Sequence, residues 1–288
     1  MALVSKCQTP EAPPMASGRN PEVLGINLSS KYLPRPLLEA AGRYFQWLMG
    51  FHRFNAIYSQ LPPCEPADFS RTFLEAMRVH FEFSGRPIDT IPATGPLIAV
   101  ANHPFGMVEG LAIDALLLSR RPDVAQMSFQ LFTAIPELQN RWIFVDPLRD
   151  RSMRQINVRA WRQSFQLLVR GGALAVFPAG RLARFQWRRL SIADLPWSPH
   201  IAALARRTDA AVLPVYFHGR NSWRFQLAGM FCPPLRYLSA VNEFTNKRDR
   251  TLRATIGRLI QPAELSRFTT DEEAIGFLRR ETERLARS

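Results

Sequence analysis

His103 and Glu109 are the two side chains in this sequence best spaced to move a proton. They lie in Ala101-Asn102-His103-Pro104-Phe105-Gly106-Met107-Val108-Glu109-Gly110. His103 follows an apolar run at 96–101 that reads as a buried strand, and the chain then turns at Pro104 and Gly106. Glu109 falls in the first turn of the helix expected over 108–118, where the helix dipole favours a carboxylate. A turn this short can fold the carboxylate back onto the imidazole. A carboxylate on one ring nitrogen fixes the tautomer and raises the basicity of the other. The result is a general base that needs no nucleophilic serine and can deprotonate an alcohol attacking an acyl donor. A lone histidine would read as structural. Here the turn and the carboxylate favour the catalytic reading.

Two further strand ends carry unusual sequence. In Phe177-Pro178-Ala179-Gly180-Arg181, Pro178 and Gly180 shape a tight turn that can present Arg181 and backbone N–H groups to an anion. The third is Pro214-Val215-Tyr216-Phe217-His218-Gly219-Arg220-Asn221-Ser222. Other chemistries lack their signatures. There is no Gly-x-Ser-x-Gly elbow, no Lys-bearing phosphate loop and no Gly-x-Gly-x-x-Gly. Cys7, Cys64 and Cys232 are scattered, which argues against a zinc finger or a disulfide framework, and no metal site is expected. His218 ends a strand near the expected site, with its role left open.

These segments need a scaffold that brings strand ends to one edge. Short strands are expected at 96–101, 141–145, 173–177 and 211–217, and helices at 108–118, 152–169 and 198–207, the last opened by Ser198-Pro199. Such alternation predicts an α/β fold with a mixed, largely parallel sheet flanked by helices, and function at the carboxyl ends of its strands. Upstream, 37–60 and 67–83 read as a pair of aromatic-rich amphipathic helices separated by Pro62-Pro63. Their apolar faces suit a protein core, the commoner case, or a bilayer interface. Residues 264–286 read as an exposed, charged helical region. The expected organisation is a flexible leader over 1–30, N-terminal amphipathic helices over 31–85 and one α/β domain over 86–288.

Charge narrows the partners. The chain of 288 residues has 37 Lys+Arg against 24 Asp+Glu, a formal net charge of +13. Residues 1–140 hold 11 basic and 12 acidic groups, whereas residues 141–288 hold 26 and 12, so the excess lies in the second half. All but Lys6, Lys31 and Lys247 of the basic residues are arginine, whose planar fork suits phosphate and carboxylate. Arg181, Arg184, Arg188 and Arg189 alternate with Leu182, Phe185, Trp187 and Leu190. That interleaving suits an anionic lipid surface; it would also suit single-stranded nucleic acid, but no nucleic-acid-binding signature accompanies it. No apolar run is long enough to span a bilayer, and 1–20 lack the apolar centre of a secretory signal.

Taken in order along the chain, the segments resemble the glycerolipid acyltransferase superfamily, which includes the 1-acylglycerol-3-phosphate acyltransferases, and more narrowly its lysophospholipid acyltransferase-like, hemolysin-type branch. Asn102, His103, Pro104, Gly106, Glu109 and Gly110 match that branch's first motif, with Glu109 in place of its aspartate. Phe177-Pro178-Ala179-Gly180-Arg181 matches the third motif, with Ala179 where the wider family has glutamate, and Leu213-Pro214-Val215-Tyr216 matches the fourth. The second motif falls weakly on Trp142–Val145 and Asp146, with its basic residue supplied by Arg149 or Arg151. Gly219-Arg220-Asn221-Ser222 suits the narrower branch, and 256–260 resembles the closing strand. The resemblance implies an O-acyltransferase carrying a fatty acyl group from an acyl-CoA or acyl carrier protein thioester to the hydroxyl of a lysophospholipid-like acceptor, with no resident cofactor. A lyso-amino-acid lipid acceptor, or a non-catalytic basic protein on a degenerate fold, is the alternative. It assigns His103 and Glu109 to catalysis and Phe177, Pro178, Gly180, Arg181, Arg220 and Asn221 to substrate binding. The expected place of work is the cytoplasmic membrane's inner face, as a peripheral protein on anionic lipid.

Overall fold

A computed structural model of the chain describes residues 19, 22–25, 34–146, 154–187, 190–231 and 233–287. In order, the elements are α1 (Arg35–Leu48), α2 (Phe51–Ser59), α3 (Phe69–Ala76), β1 (His80–Gly85), β2 (Leu97–Ala101), α4 (Met107–Leu118), β3 (Val124–Phe129), α5 (Pro136–Gln139), β4 (Trp142–Val145), α6 (Arg154–Val169), β5 (Ala173–Val176), β6 (Arg184–Gln186), β7 (Ser191–Ala193), α7 (Pro199–Arg207), β8 (Ala211–His218), α8 (Trp223–Phe231), α9 (Pro233–Thr245), β9 (Thr251–Ile256), α10 (Pro262–Leu265) and α11 (Asp271–Arg284). The main sheet has seven strands in the order β1-β9-β8-β2-β5-β3-β4. Every pairing is parallel except β8 with β9. The mixed, largely parallel sheet expected from the alternation is therefore present.

Burial on both faces explains why β2 is a continuous apolar run. Leu97, Ala99 and Ala101 point into a core with α2, α3 and α4, while Ile98 and Val100 point into a second core with α7 and α11. β5 divides in the same way, Ala173 and Ala175 to one side and Leu174 and Val176 to the other. Because β2, β5 and β8 run parallel, their carboxyl ends lie at one edge, and the three unusual segments leave the sheet there.

Several expectations need correction. The helix expected over 37–60 is two helices, broken at Gly50, where φ is +81° and an added Cβ would lie 3.0 Å from the Asn242 backbone. The helix expected over 67–83 ends at Ala76, and Arg78 takes a left-handed φ of 52°. The chain then enters β1, in which Phe81 and Phe83 alternate with Glu82 and Ser84. That period of two directly continues the apolar stripe of the preceding helix, so the two patterns merge in sequence. β1 pairs with β9, so the segment read as N-terminal helices supplies an edge strand to the main sheet. The closing strand lies at Thr251–Ile256, not at 256–260, of which Ile260 makes only a bridge to Val212. α11 is not simply exposed: Ala274, Ile275 and Leu278 are buried in the second core. β3 and the β6–β7 hairpin had no expectation at all. The expected leader lies almost wholly outside the described residues, as do Arg149, Arg151, Arg188 and Arg189.

Candidate active site

The turn after β2 is held from five directions. At its start, the Asn102 side chain bridges to β8, donating to the Phe217 carbonyl (2.9 Å) and accepting from the Phe217 N–H (2.7 Å). The His103 N–H donates to Asp194 Oδ1 (3.1 Å), and its carbonyl accepts from the Ala183 N–H (2.8 Å). Asn221 Nδ2 donates to the Phe105 carbonyl (3.0 Å). Finally Glu109 Oε1, in the first turn of α4, accepts from the N–H groups of Phe105 (2.8 Å) and Gly106 (2.7 Å) and faces His103 Nδ1 at 3.0 Å. Gly106 makes this reach possible, since its φ of 117° is open only to glycine.

An oxygen already receiving two backbone donors is an acceptor, so Nδ1 carries the proton and Nε2 keeps its lone pair. The His103 side chain is 18% exposed while that of Glu109 is fully buried, so the imidazole alone reaches out. The second Glu109 oxygen, Oε2, is buried with no hydrogen-bond partner among the described residues. The His103 ring lies against Phe177, with centroids 4.3 Å apart and planes 23° from parallel.

Phe177 begins the turn after β5. The Gly180 N–H donates to the Phe177 carbonyl (2.9 Å), and Gly180 takes a φ of 63° with open space where a Cβ would go. The Pro178 carbonyl accepts from the Ser198 N–H (2.9 Å). Ser198 does precede Pro199 at the start of α7, but its hydroxyl makes no capping bond.

A largely apolar cavity of about 150 Å³ opens beside the His103 ring. His103, Phe177, Gly180 and Arg181 line it where the two turns meet, and Gln126, Trp142, Phe54 and Phe244 bring β3, β4, α2 and α9 to it. Of the expected substrate-binding residues, Phe177, Gly180 and Arg181 thus reach the cavity. Pro178 is buried in its turn. Asn221 does not reach the cavity. It is 1% exposed, and its amide fastens the Phe105 carbonyl on one side and accepts from Lys247 Nζ (3.1 Å) on the other. Arg220 is exposed and lies over the Trp223 ring, 5.4 Å from its centroid, away from the cavity. His218 bonds Thr255 across β8 and β9 (2.8 Å); burial, then the charge of Arg253, holds its pKa below the usual range.

Two buried carboxyls support this edge without having been singled out. Asp194 holds the His103 N–H and the Trp197 indole N–H (3.0 Å), and burial pushes its pKa up. Asp114, inside α4, meets Ser70 and Arg141 and is likewise pushed up by burial, against the pull of Arg141. The Trp142 indole makes no hydrogen bond of ordinary length and angle among the described residues, although it lies near enough to Asp114 to help stabilise that carboxylate. No motif pointed to Asp194, which lies 91 residues from His103. Among the described residues no group of His, Cys, Asp and Glu could hold a metal ion.

Known proteins resemble this chain in sequence over most of its length. The chain is 24% identical over 262 residues to a lyso-glycine lipid O-acyltransferase of Phocaeicola vulgatus, covering 84% of this chain and 88% of that one. It is 23% identical over 241 residues to a lyso-glycine lipid O-acyltransferase of Bacteroides thetaiotaomicron, covering 80% and 82%. The crystal structure of the 1-acyl-sn-glycerophosphate acyltransferase PlsC from Thermotoga maritima aligns with a TM-score of 0.48 and 16% identity over 86% of each chain. A family model described as Acyltransferase matches residues 24–288, almost the whole sequence, and the chain belongs to that acyltransferase family.

Proposed function

We propose that this acyltransferase moves a fatty acyl group from an acyl-CoA or acyl carrier protein thioester to the hydroxyl of a lysolipid. The observation that carries the reading is the 3.0 Å contact of His103 Nδ1 with Glu109 Oε1 beside a largely apolar cavity. His103 Nε2 takes the acceptor's hydroxyl proton as the oxygen attacks the thioester carbon. The tetrahedral intermediate collapses, the C–S bond breaks, and the departing thiolate receives that proton from His103. One ester and one thiol are formed for one thioester and one alcohol. Glu109 keeps the ring in the productive tautomer and stabilises the transient imidazolium.

Within the lysolipids, the names of the two relatives favour a lyso-amino-acid lipid over a lysophospholipid. Both head groups are anionic, and Arg181, at the cavity where the two turns meet, is suited to pair with either a carboxylate or a phosphate. The test supplies the purified protein with acyl-CoA or acyl carrier protein thioester and either lyso-glycine lipid or lysophosphatidate. Thiol release and the mass of the lipid product are then followed. Product from lyso-glycine lipid, lost in His103→Ala, is expected. Absence of product from both acceptors with both donors would overturn the reading.

The same reading has the enzyme work as a peripheral protein on the inner face of the cytoplasmic membrane. Support comes from Trp187, Leu190, Trp223 and Leu227, all exposed on the β6–β7 hairpin and α8 beside the exposed Arg184, Arg220 and Arg224. α1 adds exposed Leu37, Tyr44 and Trp47. No described helix is long and apolar enough to cross a membrane. Flotation with anionic vesicles, reversed by high salt, is the expected result; release by detergent alone would contradict peripheral binding.

A further inference from the structure

The segment Gly219-Arg220-Asn221-Ser222 after β8 does not line the cavity, yet it grips the catalytic turn at Phe105. A Cβ on Gly219 would lie 2.6 Å from the Phe105 ring, so glycine there makes room for it. Asn221 Nδ2 donates to the Phe105 carbonyl at 3.0 Å. Beyond Asn221 stands Lys247, two residues past the end of α9 and the one lysine among the described residues. Its Nζ donates to Asn221 Oδ1 (3.1 Å), pairs with Glu243 Oε2 (3.3 Å) and lies 5.2 Å from the centroid of the Phe105 ring. Glu243 in turn accepts from the N–H (3.0 Å) and the hydroxyl of Ser222. The Lys247 and Glu243 side chains are only 12% and 4% exposed. A desolvated ion pair seldom gains stability over apolar residues of the same volume, so its place beside the catalytic turn asks for another reason.

What this network fixes is one peptide. The Phe105 carbonyl and the Gly106 N–H belong to the same trans peptide unit and point opposite ways. Asn221 holds the carbonyl; Glu109 Oε1 holds the N–H at 2.7 Å and faces His103 Nδ1. With glycine at 106, no side chain opposes rotation of this peptide. Rotated, it would turn its carbonyl oxygen toward Glu109 and push the carboxylate off the imidazole. We propose that Lys247 is a positioning residue for acyl transfer: through Asn221 it keeps the Phe105–Gly106 peptide turned so that Glu109 stays on His103 Nδ1. The inference rests on the reading of His103 as the base. Lys247 has donors only, so Asn221 faces it with its oxygen and offers its NH2 group to Phe105. Without the ammonium group the amide oxygen is left unpaired and free to turn. The peptide then loses its outer fastening, and His103 divides between its two tautomers.

Two readouts separate positioning from bracing. Nitrogen NMR of the full-length protein, isotope-labelled at its histidine rings, reports the tautomer without turnover; the His103 signals are those lost in His103→Ala. Wild type, with the ring neutral, should show Nδ1 protonated and Nε2 bare. Lys247→Met should show both tautomers, and Lys247→Arg, which keeps a charged donor, should restore most of the wild-type pattern. In transfer from acyl-CoA to lyso-glycine lipid, Lys247→Met should lower kcat about tenfold and leave both Michaelis constants within about twofold. In a Glu109→Gln background the same substitution should cost only about twofold, because the charged contact it protects is already gone. If the orphaned Glu243 prevents folding, Lys247→Met combined with Glu243→Gln removes both charges and is compared with Glu243→Gln alone. A His103 tautomer that the substitution leaves unchanged, or equal losses in the two backgrounds, overturns the proposal and makes Lys247 a structural brace. A tautomer change in a protein that transfers no acyl group would sink the base reading and leave the tie from Lys247 to His103 standing.

Discussion

The turns after β2 and β5 leave the same edge of the sheet, side by side, and are held by different kinds of contact. The first is tied to Phe217, Asp194, Ala183, Asn221 and the carboxylate of Glu109, each on a different part of the chain. The second closes on itself through Gly180, accepts a bond from Ser198 at the Pro178 carbonyl, and is joined to the first just downstream by Ala183. The difference matches what each turn has to do. A general base must meet its proton within hydrogen-bond distance at a fixed angle, so the backbone that carries it is immobilised. An arginine meeting an anion has a long side chain and a forked donor, and tolerates a looser support.

If that contrast is right, the largest effect lies in the first turn and spares stability. His103→Ala should lower transfer by at least a hundredfold and up to about ten-thousandfold, the span of general-base contributions. Its melting temperature should stay near wild type, because the ring is partly exposed and the backbone bonds remain; ordinary turnover in a folded variant would end the base mechanism. Glu109 tests the tie itself. An amide at 109 still offers one oxygen to the turn but no charge to the imidazolium, so Glu109→Gln should lose roughly ten- to hundredfold in activity and some stability. Glu109→Asp keeps the charge on a shorter arm and should retain more. Equal activity in the two variants would mean that charge is not what the pair supplies.

The second turn should respond in binding. Arg181→Ala is expected to raise the Michaelis constant for the lysolipid about tenfold, the loss of a hydrogen-bonded charge, with little change in that for the thioester. Lysine should rescue only in part. Equal shifts for both substrates together with a lower melting temperature would make Arg181 a brace instead, and the two turns would then share one kind of role.

The smallest effect sharpens the fastening at Asp194. Burial raises its pKa in the folded protein, so its contribution to stability is fully present below the ordinary carboxylate range and is lost as pH rises through the folded value. Asp114 is shifted in the same direction, so the informative quantity is the difference between wild type and Asp194→Asn. Melting temperatures from mildly acidic to neutral pH should fall for wild type relative to the variant as pH rises. Parallel curves would show that Asp194 carries no such burden.

Much of this arrangement is legible in the sequence. The alternation of β2, α4, β4, α6, β5, α7 and β8 is local, and so is the pairing of His103 with Glu109 across one turn. Local patterns survive folding because neighbours in sequence remain neighbours in space. What escaped notice depends on distant partners. Asn221 looked like a ligand-binding amide and turns out to be a buried tie between Phe105 and Lys247, which no spacing along the chain reveals. Phe54 and Phe244 carry ordinary amphipathic signals, and only their packing near His103 makes them cavity wall. β1 was missed for another reason: two phenylalanines at a period of two, placed directly after a helical stripe, fit both patterns.

That strand also sets an order of events in the making of the protein. Ser84 and Thr255, partners across β1 and β9, stand 171 residues apart. At ribosomal speeds of about 5–20 residues per second, β1 waits roughly ten to thirty seconds for β9, its one neighbour among the described residues, to be synthesised. Until then Phe81 and Phe83 have no sheet to join, and the core between α2, α3 and the sheet lacks its outer wall. An incomplete chain that stops before β9 therefore exposes an aromatic strand with both edges open, the form most prone to pair with another copy. Nascent chains stalled short of Thr251 are the species on which chaperones should be found.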